Sequence, residues 1–156
     1  MLKKVFYVFC VLGVLIYKTE DLFAIDKYRV VDGDSLEKGN VRIRLIDIDA
    51  PELFQKCYDE DNRLYECGKQ ATKELEKLMN NVAECKELGV DRYKRKLMEC
   101  FDKDNVSINQ KMVLGGWALS YGKCFKEEEK EAKNQSKGIW KGRFMRPELY
   151  RALHNN

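Results

Sequence analysis

Histidine is almost absent from this chain: the one residue, His154, lies near the C-terminus. Catalysis built on a buried histidine base, a histidine pair or a histidine-rich metal cage is thereby excluded, which removes serine triads, zinc-peptidase sites and most histidine-metal nucleases. Only two prolines occur and no stretch is of low complexity, so the chain is neither collagenous nor disordered. No apolar run reaches the roughly 20 residues of a membrane span. Cys-x-x-Cys pairs are also missing, and without histidine partners that makes zinc a poor reading of the six cysteines. Charge of one sign is not in large excess: 29 basic against 26 acidic residues leave +3, so any grip on phosphate has to be local. What is present is 156 residues, 44% hydrophobic and 35% charged, enough for one domain with its own core.

The first stretch differs from the rest. Lys3 and Lys4 precede an uncharged segment from Val5 to Tyr17, followed by Lys18, Glu20, Asp21 and then Ala24. A basic start, a short apolar core and a small residue at a cleavage point are the layout of a signal peptide over residues 1–24. As a helix the apolar segment rises about 20 Å against about 30 Å of hydrocarbon, which makes an uncleaved membrane anchor the weaker alternative. Export to a secreted or periplasmic location follows, or, with the anchor kept, a domain held outside the cytoplasm.

Export favours disulfides. Cys10 leaves with the apolar core, and Cys57, Cys67, Cys85, Cys100 and Cys124 remain. Cys57 and Cys67 bracket a polar segment that a bond would close, contributing on the order of 2 to 4 kcal/mol. Cys85 and Cys100 bracket a hairpin in which cross-strand neighbours come close. Cys124 is left over and is expected as a small buried apolar side chain.

Strands come first and helices later. Tyr28–Val31 and Ser35–Glu37 are short strands around the Asp32-Gly33-Asp34 turn. Val41, Ile43 and Leu45 alternate with Arg42 and Arg44, so one face enters a core while the other carries cations. After Leu45 the alternation slips onto Ile46 and Ile48, which predicts a bulge or a strand buried on both faces. Ala71, Leu75, Leu78 and Met79 form the stripe of an amphipathic helix ending near Asn80-Asn81. Val82–Glu87 and Lys96–Phe101 are predicted strands of a hairpin. A second helix around Ile108, Met112 and Val113 stops at Gly115-Gly116, and a third covers 127–135 with a solvated Glu127–Glu131 face. The pattern predicts a small α+β domain whose sheet closes as a barrel, with about three packed helices. Trp117 and Trp140 are expected in the core, and His154 in a tail without a role.

Three places carry chemistry. Asp32-Gly33-Asp34-Ser35 sets two carboxylates at a turn. Arg44 to Glu52 delivers an arginine and then breaks at Pro51 between Asp49 and Glu52; proline restrains itself and the preceding Ala50, so both acids sit on a rigid bend. Asp91-Arg92-Tyr93-Lys94-Arg95 places three cations around one aromatic at the hairpin.

Together with Tyr65-x-x-Gly68, Gly116-Trp-Ala118 and Lys137-Gly-Ile-Trp140, these segments resemble, in order and over about residues 27–151, the thermonuclease (staphylococcal nuclease-like) family in its secreted bacterial branch. The resemblance implies a five-stranded OB-fold barrel over residues 25–156 and Ca²⁺-dependent hydrolysis of phosphodiesters in DNA and RNA, single-stranded or unpaired regions favoured, leaving 3′-phosphate ends. It implies Asp34, Asp49 and the backbone carbonyl of Ala50 as calcium ligands, all oxygens as a hard cation prefers. Glu52 corresponds to the base that deprotonates water, Arg44 and Arg95 to the guanidinium groups on the transition state, and Arg92 and Tyr93 to residues contacting a terminal phosphate. A monomer with no stable protein partner is expected.

Departures from the pattern are informative. Ala50 stands where threonine is common, which keeps a carbonyl and loses a hydroxyl. Lys94 replaces a glycine, so a turn with positive φ would strain it by roughly 1 to 2 kcal/mol. Asp47 is an extra acid read as structural or solvent-facing. A non-catalytic OB-fold module that binds nucleic acid through cations and aromatics is the alternative function, and an ordinary Arg44–Asp49 ion pair the plain reading of those residues. Against the module, Asp34, Asp49 and Glu52 would repel phosphate unless a cation sat among them.

Overall fold

The computed structural model describes residues 27–154; the signal-peptide segment and Cys10 lie outside them. Three short antiparallel strands open the domain: β1 (Arg29–Val30), β2 (Ser35–Lys38) and β3 (Val41–Leu45). Ile43 and Leu45 point into the core as their alternation requires, whereas Val41 lies exposed at the strand's start. The chain then leaves the sheet. Ile46 and Asp47 turn, with Asp47 at φ 62°, and β4 (Ile48–Asp49) pairs with β9 (Leu119–Ser120) in a separate two-stranded sheet. The slip in hydrophobic parity is therefore a change of sheet, not the expected bulge or doubly buried strand.

A small hairpin of β5 (Cys57–Tyr58) and β6 (Leu64–Tyr65) follows and leads into α1 (Cys67–Met79), which buries Ala71, Leu75 and Met79. β7 (Val82–Val90) and β8 (Lys96–Asp102) are longer than the sequence suggests and turn through 91–95. β8 also runs parallel to β3, pairing Arg44 with Leu97. The resulting order β1-β2-β3-β8-β7, with helices packed on it, is the mixed α+β, five-stranded OB-type arrangement that was expected. α2 (Ile108–Leu114) starts at a Ser107 cap whose side chain accepts from the Gln110 amide and ends at Gly115, and α3 is Lys126–Asn134. A 3₁₀ turn spans Gly138–Lys141, and α4 (Pro147–His154) closes the chain.

That fourth helix corrects the three expected. Its hydrophobic positions are too few and too near the end for periodicity to reveal it, yet Pro147 at its first turn suits helix initiation. His154 consequently sits in a helix, stacked on Tyr150, rather than in a tail. Two further corrections concern exposure. Cys124 is an exposed free thiol, not a buried one. Within Glu127–Glu131, Glu129 is buried and ion-paired to Lys133 at 3.0 Å, so that face is not uniformly solvated.

The main core joins Leu36, Ile43 and Leu45 of the sheet to Leu75 of α1 and Met112 of α2. A smaller cluster joins Cys57, Cys67, Leu119 and Ile139, with Trp117 and Trp140 packed against it. The Cys57–Cys67 and Cys85–Cys100 bonds are both formed, the first tying the β5 loop to α1 and the second crossing β7 and β8. Gly116 and Gly138, one from each of two sequence motifs, meet backbone to backbone, and a Cβ on either would collide with the other segment.

Candidate active site

The acids and cations singled out in the sequence gather where β3, β4 and the β7–β8 turn meet. Arg44 leaves β3 on the face opposite the core, and the parallel register sets the start of β8, with Arg95, beside it. The turn at Ile46-Asp47 carries the chain away and brings Asp49 back under the Arg44 side chain. Asn109, fully buried on α2, fixes that turn by donating to the carbonyls of Ile46 at 3.0 Å and Met98 at 3.2 Å. Asp47 has a structural part: its carbonyl accepts from the Tyr121 amide at 2.8 Å.

Arg44 bridges the two acids proposed as cation ligands. Nη1 is ion-paired to Asp34 Oδ1, and Nη2 donates to Asp49 Oδ1 at 3.0 Å and to the Ile48 carbonyl at 3.1 Å. The plain ion pair is thus real, and it shows that both carboxylates converge on one point. Asp34 is 2% exposed, and its Oδ2 accepts from the Ala50 amide at 2.7 Å. Burial, opposed by Arg44 and assisted by the charges of Asp32 and Asp49, pushes its carboxyl up from 3.8 to about 7. Burial alone would lower the Arg44 pKa, but Asp34 and Asp49 hold its guanidinium more firmly protonated than usual.

Arg95 is positioned by its own turn. Asp91 accepts from the Tyr93 amide at 2.8 Å, the Arg95 amide at 2.9 Å and Arg95 Nε at 2.7 Å. Despite the cost of desolvation, these donors hold the Asp91 carboxyl below its ordinary range. Among the described residues no other group hydrogen-bonds the Arg95 side chain, so its two terminal nitrogens remain for a ligand. Lys94 has φ 62°, the left-handed conformation that the missing glycine would have taken without strain. Tyr93 is exposed, with Arg92 and Arg95 lying 4.9 Å and 5.6 Å from its ring centre. Arg42, from the cationic face of β3, donates to the Tyr93 carbonyl at 2.9 Å.

Glu52 follows the Pro51 bend. Its amide donates to Gln55 Oε1 at 3.2 Å and its carbonyl accepts from the Gln55 amide at 2.7 Å. Gly68 at the start of α1 lies against this backbone so closely that a Cβ there would run into the Glu52 carbonyl, which explains the glycine of the Tyr65-x-x-Gly68 motif. Arg44, Glu52, Tyr93 and Arg95 all line one open cleft of about 820 Å³. It also receives Arg151 of α4, which the sequence reading passed over: Nη1 donates to Asp49 Oδ1 at 2.9 Å and to Glu52 Oε1 at 2.7 Å. The only signal was an isolated arginine in a segment with no recognised element.

Among the described residues no group of three or more His, Cys, Asp or Glu side chains forms a ready-made metal cage. The donors nevertheless suit Ca²⁺. It accepts a few protein oxygens with water completing the shell, and Asp34 and Asp49 offer two carboxylates turned to one cationic point, with the Ala50 backbone held against Asp34 through its amide. The raised Asp34 pKa is what a buried acid shows when the positive charge nearby does not fully offset burial and neighbouring acids.

The profile of the family described as "Staphylococcal nuclease homologue" matches residues 42–142. The chain belongs to that family. The succinoglycan biosynthesis protein ExoI of Rhizobium meliloti (strain 1021) is 31% identical over 118 residues, covering 72% of this chain and 62% of that protein. An uncharacterized endonuclease of Escherichia coli O157:H7 and one of Escherichia coli are each 31% identical over 122 residues, covering 72% of this chain and 73% of theirs. The chain therefore spans less than two thirds of the first of these relatives.

Proposed function

We propose that this protein is an exported, Ca²⁺-dependent nuclease that hydrolyses phosphodiester bonds in DNA and RNA and leaves 3′-phosphate ends. The observation that carries the reading is that Glu52, Arg44 and Arg95 line one open cleft while the buried Asp34 and Asp49 converge on the Arg44 guanidinium beneath it. Acids alone would repel a polyanion, and cations alone would bind it without cutting; a cleft holding both suits a cation-assisted reaction on phosphate.

Asp34, Asp49 and the Ala50 carbonyl would hold Ca²⁺, whose charge would polarise a nonbridging phosphate oxygen. Arg95, with its terminal nitrogens unengaged, would grip the phosphate as a fork. Arg44 would take the second side once its carboxylate partners are neutralised. Glu52 would remove a proton from water as its oxygen attacks phosphorus. The bond to the 5′ oxygen would then break, the leaving oxygen would take a proton from solvent water, and the phosphate would stay on the 3′ side. Each guanidinium contact made in the transition state is worth about 3 kcal/mol or more. Arg92 and Tyr93, exposed at the rim, would meet a terminal phosphate, and flexible single strands would enter most readily. Export rests on the basic-apolar-small pattern of residues 1–24 and agrees with the two disulfides.

The test is Glu52→Gln, which keeps size and removes basicity. In Ca²⁺, and under single-turnover conditions with single-stranded DNA, it should cleave orders of magnitude more slowly while still binding. Cleavage at the wild-type rate would show that Glu52 is not the base, and wild-type cleavage in a chelator would remove the cation from the mechanism.

A further inference from the structure

The link between α4 and the cleft carries a residue role outside the set described above. Arg151 reaches across about a hundred residues of sequence to one nitrogen position between two acids, at 2.9 Å from Asp49 and 2.7 Å from Glu52. The contact is not an isolated surface pair. Its helix is tied to the loop that bears Glu52 through Gln55, which is fully buried: Gln55 Nε2 donates to the Met145 carbonyl at 2.7 Å while its Oε1 accepts from the Glu52 amide. Tyr58 and Arg143 exchange backbone hydrogen bonds at 2.8 Å and 3.0 Å, and Gly142 is packed against the Tyr58 carbonyl. The segment leading into α4 and the loop from Glu52 to Tyr58 therefore form one braced unit.

The Glu52 carboxylate itself has little else to hold it. It lies outside any strand or helix, about a third of its side chain is exposed, and among the described residues Arg151 is the sole side-chain donor to it. A glutamate has three rotatable side-chain bonds, and an unrestrained carboxylate presents its lone pairs in many directions. A base acts only from one of them. Arg151 is well suited to the task of holding it, because a guanidinium stays charged and its Nη1 donates to Glu52 and Asp49 at once. Its Nη1 already serves both acids, which sets it apart from Arg95, whose terminal nitrogens are unengaged.

We propose that Arg151 is a positioning residue for hydrolysis, pinning the Glu52 carboxylate beside Asp49 so that it faces the cleft in one orientation. The proposal rests on the reading of Glu52 as the base. It predicts that Arg151 acts through Glu52 and not through substrate or cation. Removing its positive charge from beside Asp49 leaves the acids no less able to bind a dication, so calcium affinity should not fall.

The experiment combines Arg151→Ala, Arg151→Lys, Glu52→Gln and the Arg151→Ala/Glu52→Gln double variant, with single-stranded DNA cleavage and calcium calorimetry on each. Arg151→Ala should lower kcat by about 10- to 100-fold, the scale of a misplaced catalytic group, with KM changed less than about threefold. Calcium affinity should be equal to or tighter than that of the wild type. Arg151→Lys should recover part of the loss, since it keeps the charge and one donor direction. In the Glu52→Gln background, Arg151→Ala should cost nothing further, an outcome that a general loss of folding cannot imitate. The proposal is overturned by an undiminished kcat in Arg151→Ala, by a loss confined to KM, by weakened calcium binding that excess calcium repairs, or by the same loss in the Glu52→Gln background. Wild-type turnover in Glu52→Gln alone identifies the base assignment as the error, before the double variant is read.

Discussion

Replacing Gly68 by alanine would push a methyl group into the backbone that carries Glu52. The added carbon would overlap the Glu52 carbonyl oxygen, and would lie 2.7 Å from the carbonyl carbon and 2.8 Å from the Leu53 oxygen. None of these atoms is the end of a flexible side chain. Nor can α1 simply retreat, because Cys67 is bonded to Cys57 and the Gly68 amide donates to the Gln55 carbonyl at 3.2 Å. Considered as a helix residue alone, alanine should stabilise by up to about 1 kcal/mol. Overpacking typically costs about 1 to 3 kcal/mol, and a clash with backbone belongs at the upper end, so a net loss of about 1 to 2 kcal/mol is expected. For a domain of this size that lowers the melting temperature by roughly 3 to 12 °C. The larger consequence is catalytic: displacing Glu52 by about 1 Å should slow cleavage about 100-fold at temperatures where the variant is fully folded. Thermal unfolding by circular dichroism and single-turnover cleavage in Ca²⁺ measure the two effects. A variant that melts higher than wild type would refute the packing argument. One that melts lower but cleaves at the wild-type rate would refute the claim that α1 sets the position of Glu52.

Lys94→Gly should raise stability by about 0.5 to 1 kcal/mol in urea unfolding, because relief of the left-handed strain exceeds the added freedom of the unfolded chain; a lower midpoint would show that Lys94 makes contacts outweighing its strain. Arg95→Lys keeps a charge but loses the fork and the Nε bond to Asp91, so turnover should stay at least about tenfold below wild type while binding changes less. In a chelator, stability should fall as pH rises from about 4 towards 7, because folded Asp34 binds a proton more tightly than the unfolded chain does; the ceiling is about 4 kcal/mol. Asp34→Asn should flatten that part of the urea-unfolding profile, and an unchanged slope would assign it to another group.

The sequence by itself determined the local parts of this protein. The Ile43–Leu45 alternation, the α1 stripe, the glycine stop of α2 and the two cysteine brackets each depend on residues close in the chain, where geometry dictates the pattern. Six motifs in order also specified the family, and the near absence of histidine confined the chemistry to carboxylates and guanidinium groups. Where position depended on distant partners, local pattern fell short. The parity slip after Leu45 could not reveal that Ile48 and Asp49 pair with Leu119 and Ser120, some seventy residues away. Burial of Glu129 and exposure of Cys124 are likewise set by what packs beside them.

The cleft shows the same division. Residue types and spacing pointed to Asp34, Arg44, Asp49, Glu52 and Arg95, yet only the parallel pairing of β3 with β8 brings Arg44 and Arg95 to one cleft. Arg151 is the extreme case. It has no motif around it, and its helix is too short to announce itself by periodicity. Its meaning arises only when Gln55 and the Tyr58–Arg143 backbone pair bring the chain's end back to Glu52. Periodicity records which face of an element is apolar; it carries no information about which distant charge will meet that element once the chain has closed on itself.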